Sequence, residues 1–196
     1  MRDTVDLLAI GASLALFVWI GMLPRLFFRP GRRTLQWSLN ALPFWIAGLT
    51  LLCGVTGVLE LVRPTEGWAA AALSLTSLGL SAAAAWLLSC TLATHERPLA
   101  LWHQTNDHAE HIVTSGTYTH IRHPFYASFL IALVGSFLAA PHGLTLLALG
   151  AGAYRLDRTA HAEEQHLCAS DFGDTYGAYM LRTGRFIPRL RRTRSG

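Results

Sequence analysis

The sequence has few charged residues. They make up 14% of the 196 positions, against about 25% in ordinary soluble domains, while apolar residues make up 52%. Four long windows carry no charge at all, and they span residues 7–24, 34–59, 67–95 and 123–154. Segments of this length and composition are typical of membrane-spanning helices. The sequence therefore predicts an integral membrane protein and excludes an ordinary water-soluble domain.

Lysine is absent, so all sixteen cationic residues are arginine. Apart from Arg2 and Arg63, every arginine lies after the first window, beside the loop that follows the third, or between Arg155 and Arg194. The positive-inside rule then places the N-terminus outside and the long loop and C-terminus in the cytoplasm. We expect a multi-pass protein of a bacterial or archaeal inner or plasma membrane. The net charge of +4 suits anionic membrane lipids as partners, and no nucleic acid is needed to explain it.

Several motif classes are missing. The three cysteines show no CxxC spacing and are interpreted as small apolar fillers. The nine histidines form no HExxH and no zinc-type cluster, so we expect no metal site. No Walker sequence and no GxGxxG after a strand is present, which argues against a soluble nucleotide-binding fold.

The windows predict an all-α fold with five transmembrane helices. Each of the first three windows is long enough to span a bilayer, and the first is expected to be a retained helix because acidic residues replace a basic signal-peptide head. Pro141, His142 and Gly143 interrupt the fourth window and favour a hairpin of two shorter helices. We expect residues 1–94 to form a three-helix scaffold. Residues 95–196 would supply a cytoplasmic loop, the hairpin and a C-terminal functional region of the same structural domain.

The stretch "GTYTHIRHPFYASF", residues 116–129, joins the polar loop to the hairpin. Proline suits the first turn of a helix, so Pro124 is predicted at position N1 and His123 at the N-cap. The free N–H groups and positive dipole of a helix start attract anions, and Arg122 adds a full charge. The stretch predicts an anion site at the membrane surface. The alternative is that Arg122 only anchors the helix among headgroups and His123 only caps it.

The fifth helix is expected to continue past Arg155 into the polar segment "DRTAHAEEQHLCASDFG" and to end near Gly173. Glu163 and Glu164 would offer acceptors to a cationic ligand, although a solvated helix face is the plainer interpretation. By spacing, four residues share one face of this helix: Tyr154, His161, Glu164 and Cys168.

The tail "DTYGAYMLRTGRFIP" predicts an amphipathic turn that Gly184 ends. Tyr176, Tyr179 and Met180 form its apolar side. Such a segment would lie on the membrane and close over the site; the alternative is a simple interfacial anchor.

Two of these segments also resemble a known family. "HIVTSGTYTHIRHPFYASF" resembles the HxLVTxGxYxxxRHPxY signature of the isoprenylcysteine carboxyl methyltransferase family, which is related to phospholipid methyltransferases. "AEEQHLCASDFGDTYGAYMLRTGRFIP" resembles the EExxLxxxFGxxYxxYxxxxxRFIP end of the same family. The resemblance covers roughly residues 95 to 190. The departures are Thr117, where the family usually has proline, and Ala127 and Ser128, where Leu-Gly is common.

The resemblance implies a membrane methyltransferase that uses S-adenosyl-L-methionine. It implies that the helix start and the glutamate pair bind this cofactor, with Glu164 more important than Glu163, and that residues of the preceding loop form the remaining wall. The implied cofactor-binding residues are His111, Val113, Gly116, Tyr118, His123, Pro124, Tyr126, Glu163 and Glu164.

The resemblance and charge logic together suggest the acceptor. A lipophilic, isoprenoid-like carboxylate would enter from the bilayer and be held by Arg122 and Arg185. A lipid amine such as a phosphatidylethanolamine-like headgroup, a thiol or another small apolar nucleophile is the second interpretation, and Tyr179 would then be the catalytic neighbour. A non-catalytic protein or a reductase-like relative is the third.

Overall fold

The computed structural model describes residues 4–26, 35–61, 67–94 and 112–189. These residues form six α-helices and one short 3-10 helix over Gly116–Thr119, which confirms the all-α class. The α-helices are α1 (Thr4–Leu26), α2 (Leu35–Val55), α3 (Trp68–Ala93), α4 (Pro124–Ala139), α5 (Gly143–Cys168) and α6 (Gly173–Arg182).

Helices α1, α2 and α3 are long and apolar enough to cross a membrane, and α4 is a shorter apolar helix. Large apolar side chains on these helices face outward, among them Trp45, Trp68 and Leu75. An exposed apolar surface of this extent is expected where the surroundings are lipid. The chain is therefore a membrane protein.

The apolar core shows that neighbouring helices alternate in direction. At one end of the bundle, Ile10 near the start of α1 packs with Leu51 late in α2 and Ala139 at the end of α4. At the other end, Leu23 and Leu88, late in α1 and α3, pack with Phe125 at the start of α4. This second end carries the start of α4, so it also carries the predicted site.

Small and hydroxylated side chains bring α3 close to its neighbours. Ser77 donates a hydrogen bond to the carbonyl oxygen of Gly135 in α4 at 2.8 Å, and the hydroxyl oxygens of Ser81 and Ser13 lie 3.3 Å apart. Small residues allow helix backbones to approach in an apolar medium, where packing and interhelical hydrogen bonds provide the attraction. The three-helix scaffold is thereby joined to the hairpin.

Helices α4 and α5 form the predicted hairpin. His142 caps α5: its Nδ1 accepts from the N–H of Leu144 at 3.1 Å, while its own N–H donates to the hydroxyl of Thr145 at 3.2 Å. The arms are unequal, because α4 has 16 residues, or about 24 Å, and α5 has 26, or about 39 Å. The expectation of two short helices holds for α4 alone.

The end of α5 differs from the prediction, and the predicted shared face is not uniformly buried. The helix ends at Cys168 with Ala169 as its C-cap, and Gly173 begins α6 instead of ending α5. Of the predicted shared face, Glu164 is buried, whereas Tyr154 and His161 are exposed. Spacing identifies residues on a common stripe but not which stripe packs. The stripe that packs here contains Leu156, Ala160 and Glu164.

Candidate active site

Backbone hydrogen bonds join the start of α4 to the segment after α6. The N–H of Arg122 donates to the carbonyl of Gly184 at 2.8 Å, that of His123 to Arg185 at 3.0 Å, and that of Gly184 to His120 at 3.2 Å. These bonds form a parallel bridge between Ile121 and Gly184. The tail is therefore held against the RHP sequence by main-chain contacts, which no side-chain pattern predicts.

Pro124 occupies the first turn of α4 and His123 the N-cap, as predicted, but the side chain of His123 makes no cap hydrogen bond. It turns toward α5 instead. The backbone N–H groups of Arg122 and His123 are also committed to tail carbonyls. These two N–H groups therefore hold the tail, and the anion site expected at the start of α4 stays a prediction.

Glu164 is the centre of a buried ion cluster. Its side chain is 3% exposed. Arg122 Nε donates to Oε1 at 2.8 Å, Arg185 Nη2 donates to Oε2 at 2.6 Å, and His123 Nε2 lies 3.2 Å from Oε1. Burial alone would raise the pKa of this carboxyl, but hydrogen bonds from His123, Arg185 and Arg122 outweigh it and hold the pKa well below its usual range. Glu164 is therefore ionised, and both of its oxygens already have cationic hydrogen-bond partners.

Arg122 extends the cluster to α6. Its Nη1 donates to the carbonyl oxygens of Thr183 at 2.5 Å and Met180 at 3.2 Å. These carbonyls belong to the last turn and C-cap of α6, where backbone acceptors lack helical partners. One guanidinium thus links the start of α4, the end of α5 and the end of α6.

Glu163 has different surroundings, although it is adjacent in sequence. The hydroxyl of Tyr126 donates to its Oε1 at 2.5 Å, and His123 Nδ1 lies 3.3 Å from its Oε2. Its side chain is 19% exposed. Among the described residues, no arginine is recorded within ion-pair distance of Glu163. It is the more open and less neutralised carboxylate of the pair.

The His123 imidazole lies between both glutamates and is 7% exposed. It stacks on the ring of Tyr126 with centroids 5.5 Å apart and planes 9° apart. Burial favours the neutral ring, but hydrogen bonds to Glu163 and Glu164 outweigh burial and raise the pKa of His123 above its usual value of 6.5. The two carboxylates therefore favour the protonated form of this imidazole.

Tyrosines from α6 and the 3-10 helix complete the cluster. Tyr179 donates from its hydroxyl to the carbonyl of Tyr118 at 2.6 Å, and the rings of Tyr176 and Tyr179 lie 5.7 Å apart. Burial raises the pKa of Tyr179 to about 12, so this phenol is neutral at physiological pH. The predicted apolar side of the tail thus faces the site.

The loop before α4 places the remaining predicted residues. Gly116 has a positive φ of 58°, and a Cβ there would overlap the side chain of Thr94 at the end of α3. Thr117, which departs from the family pattern, lies with its hydroxyl 3.3 Å from that of Thr91. Val113 is partly buried. His111 lies outside the described residues.

The structure therefore brings six predicted residues into one hydrogen-bonded cluster: Arg122, His123, Tyr126, Glu163, Glu164 and Arg185. Asp157 was missed. It accepts from Arg185 Nη1 at 2.7 Å, and its position two helical turns before Glu164 is the sequence signal that places it on the same side of α5. Within the described parts of the chain, no group of three or more His, Cys, Asp or Glu side chains is placed to hold a metal ion.

Part of the chain is similar to a known family. Residues 77–169 match the isoprenylcysteine carboxyl methyltransferase (ICMT) family. This match supports the assignment of the chain to an ICMT-like family. The matched part includes most of α3, the RHP sequence, α4 and all of α5 with both glutamates. The name of this family describes a methyltransferase.

A curated relative shares part of the sequence. The chain is 33% identical over 110 residues to the nickel-cobalt-cadmium resistance protein NccN of Alcaligenes xylosoxydans xylosoxydans. The match covers 56% of this chain and 51% of that protein, so the chain spans about half the length of this relative. The relative's name concerns metal resistance and specifies no reaction. No solved structure shows a significant match to the chain.

Proposed function

We propose that the protein is a membrane-embedded methyltransferase that uses S-adenosyl-L-methionine and methylates the carboxylate of a lipophilic, isoprenoid-like substrate. The observation that carries this proposal is the cluster of Arg122, His123, Glu163, Glu164 and Arg185, which lies at one end of an apolar helical bundle. The match of residues 77–169 to the ICMT family supports the reaction class.

The residues fit the cofactor by charge. S-adenosyl-L-methionine supplies an electrophilic methyl group on a sulfonium, and it also carries an α-ammonium and an α-carboxylate. Glu163 is partly open and is bonded by a neutral tyrosine, so it is the carboxylate suited to a cationic group of the cofactor. The ring of Tyr126 beside it adds a face that attracts cations.

Glu164 has a different proposed role from the one expected. Because two arginines and His123 already occupy its oxygens, it is suited to positioning those side chains rather than binding the cofactor. We therefore assign cofactor contact to Glu163 and positioning to Glu164. Val113, Gly116, Tyr118 and Pro124 are kept as the proposed cofactor wall, together with His111.

Arg185 is the better candidate to hold the acceptor carboxylate. Its side chain is 29% exposed and pairs with Asp157, which is 54% exposed, whereas Arg122 is 9% exposed and is engaged by α5 and α6. An exposed ion pair contributes little and exchanges readily. A carboxylate is already ionised at neutral pH and needs no general base, so holding and aligning it is the main task of the site.

The substrate is proposed to arrive through the bilayer. Helix α4 is shorter than the hydrocarbon core of about 30 Å, so its start can lie below the membrane surface and place the site near lipid tails. We further propose five transmembrane helices, with the fifth formed by the apolar first half of α5. The N-terminus would lie outside, and the site would face the cytoplasm of a bacterial or archaeal cell among membrane lipids.

Methylation of a lipid amine or a thiol is the second candidate. The observation that favours an amine is the pair of tyrosines near Glu163, Tyr118 and Tyr126, with Tyr179 bonded to the carbonyl of Tyr118. Aromatic faces and a carboxylate attract a cationic headgroup, and Tyr179 would then contact the acceptor.

Transfer of a labelled methyl group to membrane lipid extracts tests the proposal. A methyl ester releases volatile methanol in mild alkali, whereas an N-methyl product keeps its label. Arg185→Ala is expected to reduce the rate by tenfold to a hundredfold, since a charge-assisted hydrogen bond is worth about 1.5 to 3 kcal/mol. Arg158→Ala, an exposed arginine of the same α5, serves as the control. Alkali-stable label, or full activity of Arg185→Ala, would favour the second candidate, an amine or a thiol.

A further inference from the structure

His123 is placed to occupy a cation site at Glu163. Its Nδ1 lies 3.3 Å from Glu163 Oε2 and its Nε2 lies 3.2 Å from Glu164 Oε1. Carboxylate oxygens only accept hydrogen bonds, so both ring nitrogens satisfy their neighbours when both carry a proton. In the neutral ring, one nitrogen would present a lone pair to a carboxylate.

We propose that the imidazolium of His123 fills the position of a ligand cation in the free protein, and that binding of the cofactor's ammonium at Glu163 releases the Nδ1 proton to solvent. This inference rests on the proposed function and concerns the regulation of that same site. The N–H bond at Nδ1 breaks and its proton leaves to buffer. The ring keeps its Nε2 proton toward Glu164.

Charge balance explains why the proton leaves. The cations Arg122, Arg185 and His123 oppose the carboxylates Asp157, Glu163 and Glu164 in one cluster. The ligand's own carboxylate binds elsewhere, so the effect is local: at Glu163 the ammonium is a second cation beside a ring that is 7% exposed, which lowers the pKa of that ring. Loss of the proton removes this local excess of positive charge.

Geometry gives the ammonium two acceptors at that position. After the proton is lost, the Nδ1 lone pair and Glu163 Oε2 both accept, and an ammonium has three N–H groups to donate. Glu164 is less suited to this exchange, since two arginines already occupy its oxygens.

The groups around His123 come from every element packed against it. They are Tyr126 of α4, Glu163 and Glu164 of α5, Arg122 and Arg185 on either side, and the more distant Tyr118, Tyr176 and Tyr179. The carboxylates oppose deprotonation, the arginines favour it, and the phenols stay neutral. Together these groups keep the proton on His123 until the ligand's ammonium binds.

Isothermal titration of detergent-purified protein with S-adenosylhomocysteine tests the inference. At about pH 6 the ligand carries its ammonium, because α-amino groups ionise near 7.7 to 8.0. Titration in buffers of different ionisation enthalpy is expected to show release of about one proton per ligand, and affinity is expected to rise by up to about tenfold per pH unit between pH 5.5 and 6.5.

Two variants test whether the released proton comes from His123 or from another histidine. His123→Asn is expected to bind S-adenosylhomocysteine without proton release and with affinity that is flat over this pH range. His161→Asn, an exposed histidine on α5, is expected to keep the full release. Binding by the wild type without buffer dependence, or unchanged release in His123→Asn, would overturn the inference alone. Absence of any binding by the wild type would overturn the proposed function itself.

Discussion

Glu163 and Glu164 are adjacent in the chain yet serve as opposite kinds of carboxylate. Glu164 lies on the buried stripe of α5 and is 3% exposed among three cationic partners. Glu163 lies about 100° around the helix, is 19% exposed and faces Tyr126 and His123. Their positions on the helix therefore separate a structural charge from one that is available to a ligand.

Amide substitutions distinguish these two roles. Glu164→Gln leaves the buried guanidinium of Arg122 without a carboxylate and is expected to lower the free energy of unfolding by about 3 to 5 kcal/mol. Glu163→Gln keeps an acceptor for Tyr126 and is expected to cost only about 1 kcal/mol, while it weakens S-adenosylhomocysteine binding by about tenfold or more. Denaturation and calorimetric binding in one detergent measure both. Equal loss of stability in the two variants would contradict the assignment.

The charge of His123 makes the stability of the free protein depend on pH. Its folded pKa is raised above the usual 6.5, so its stabilisation is complete below about pH 6.5 and is lost as the pH rises through the folded value. The melting temperature of the ligand-free protein is expected to fall as the pH rises above about 6.5. Glu164, whose pKa is lowered, stays ionised throughout. His123→Asn should make the melting temperature nearly independent of pH in this range. An unchanged pH dependence in that variant would show that another group causes it.

At the scale of elements, the site depends on a backbone bridge between two segments that are far apart in sequence. The start of α4 and the segment after α6 share three backbone hydrogen bonds around Gly184, and Arg122 reaches the carbonyl of Thr183. Arg185 follows directly and is held beside Glu164. The tail therefore positions a site residue by main-chain contacts, in addition to covering the cluster.

Two glycines near the tail provide a matched test of whether this backbone bridge positions Arg185. A Cβ at Gly184 would overlap the carbonyl oxygen of Ile187, whereas one at Gly177 within α6 meets nothing within 4 Å. Gly184→Ala is expected to displace Arg185 and reduce methyl transfer by at least about tenfold. Gly177→Ala is expected to keep activity and to stabilise α6 slightly, because alanine favours helix by up to about 1 kcal/mol. Methyl-transfer assays of both variants, with melting curves as the check on folding, measure this difference. Equal activity of the two variants would contradict a positioning role for the tail.

At the scale of the whole molecule, the alternating helices place the ion cluster at the end of the bundle where α1 and α3 finish and α4 starts. The opposite end carries the finish of α2 and the turn that His142 caps. Membrane orientation then decides which compartment the site faces, and the arginine distribution predicts the cytoplasm.

Cysteine labelling tests the orientation. On a background that lacks Cys53, Cys90 and Cys168, which are unpaired, single cysteines are introduced at two exposed positions. Val58, after α2, is expected to react with an impermeant reagent added outside intact cells. Gln165, near the end of α5, is expected to react only after the cells are opened. The reverse pattern would place the site outside.

The sequence by itself was enough to predict the helical class, the membrane setting, the hairpin and most of the residues that form the ion cluster. Apolar windows determine helices because a bilayer requires internally bonded backbone. Pro124 and the turn at Pro141 predicted where helices begin and break, and the two linked motifs identified the residues that meet. Each of these signals is local, so no partner elsewhere in the chain is needed to interpret it.

The tertiary structure alone decided how those residues pair. Which stripe of α5 is buried depends on the helices beside it, so spacing did not distinguish Glu164 from Tyr154 and His161. The hydrogen bonds from Arg122 and His123 to the tail join backbone groups that are about 60 residues apart, and backbone groups look alike in every sequence. The raised pKa of His123 follows from two carboxylates that reach it only after α4 and α5 have packed together.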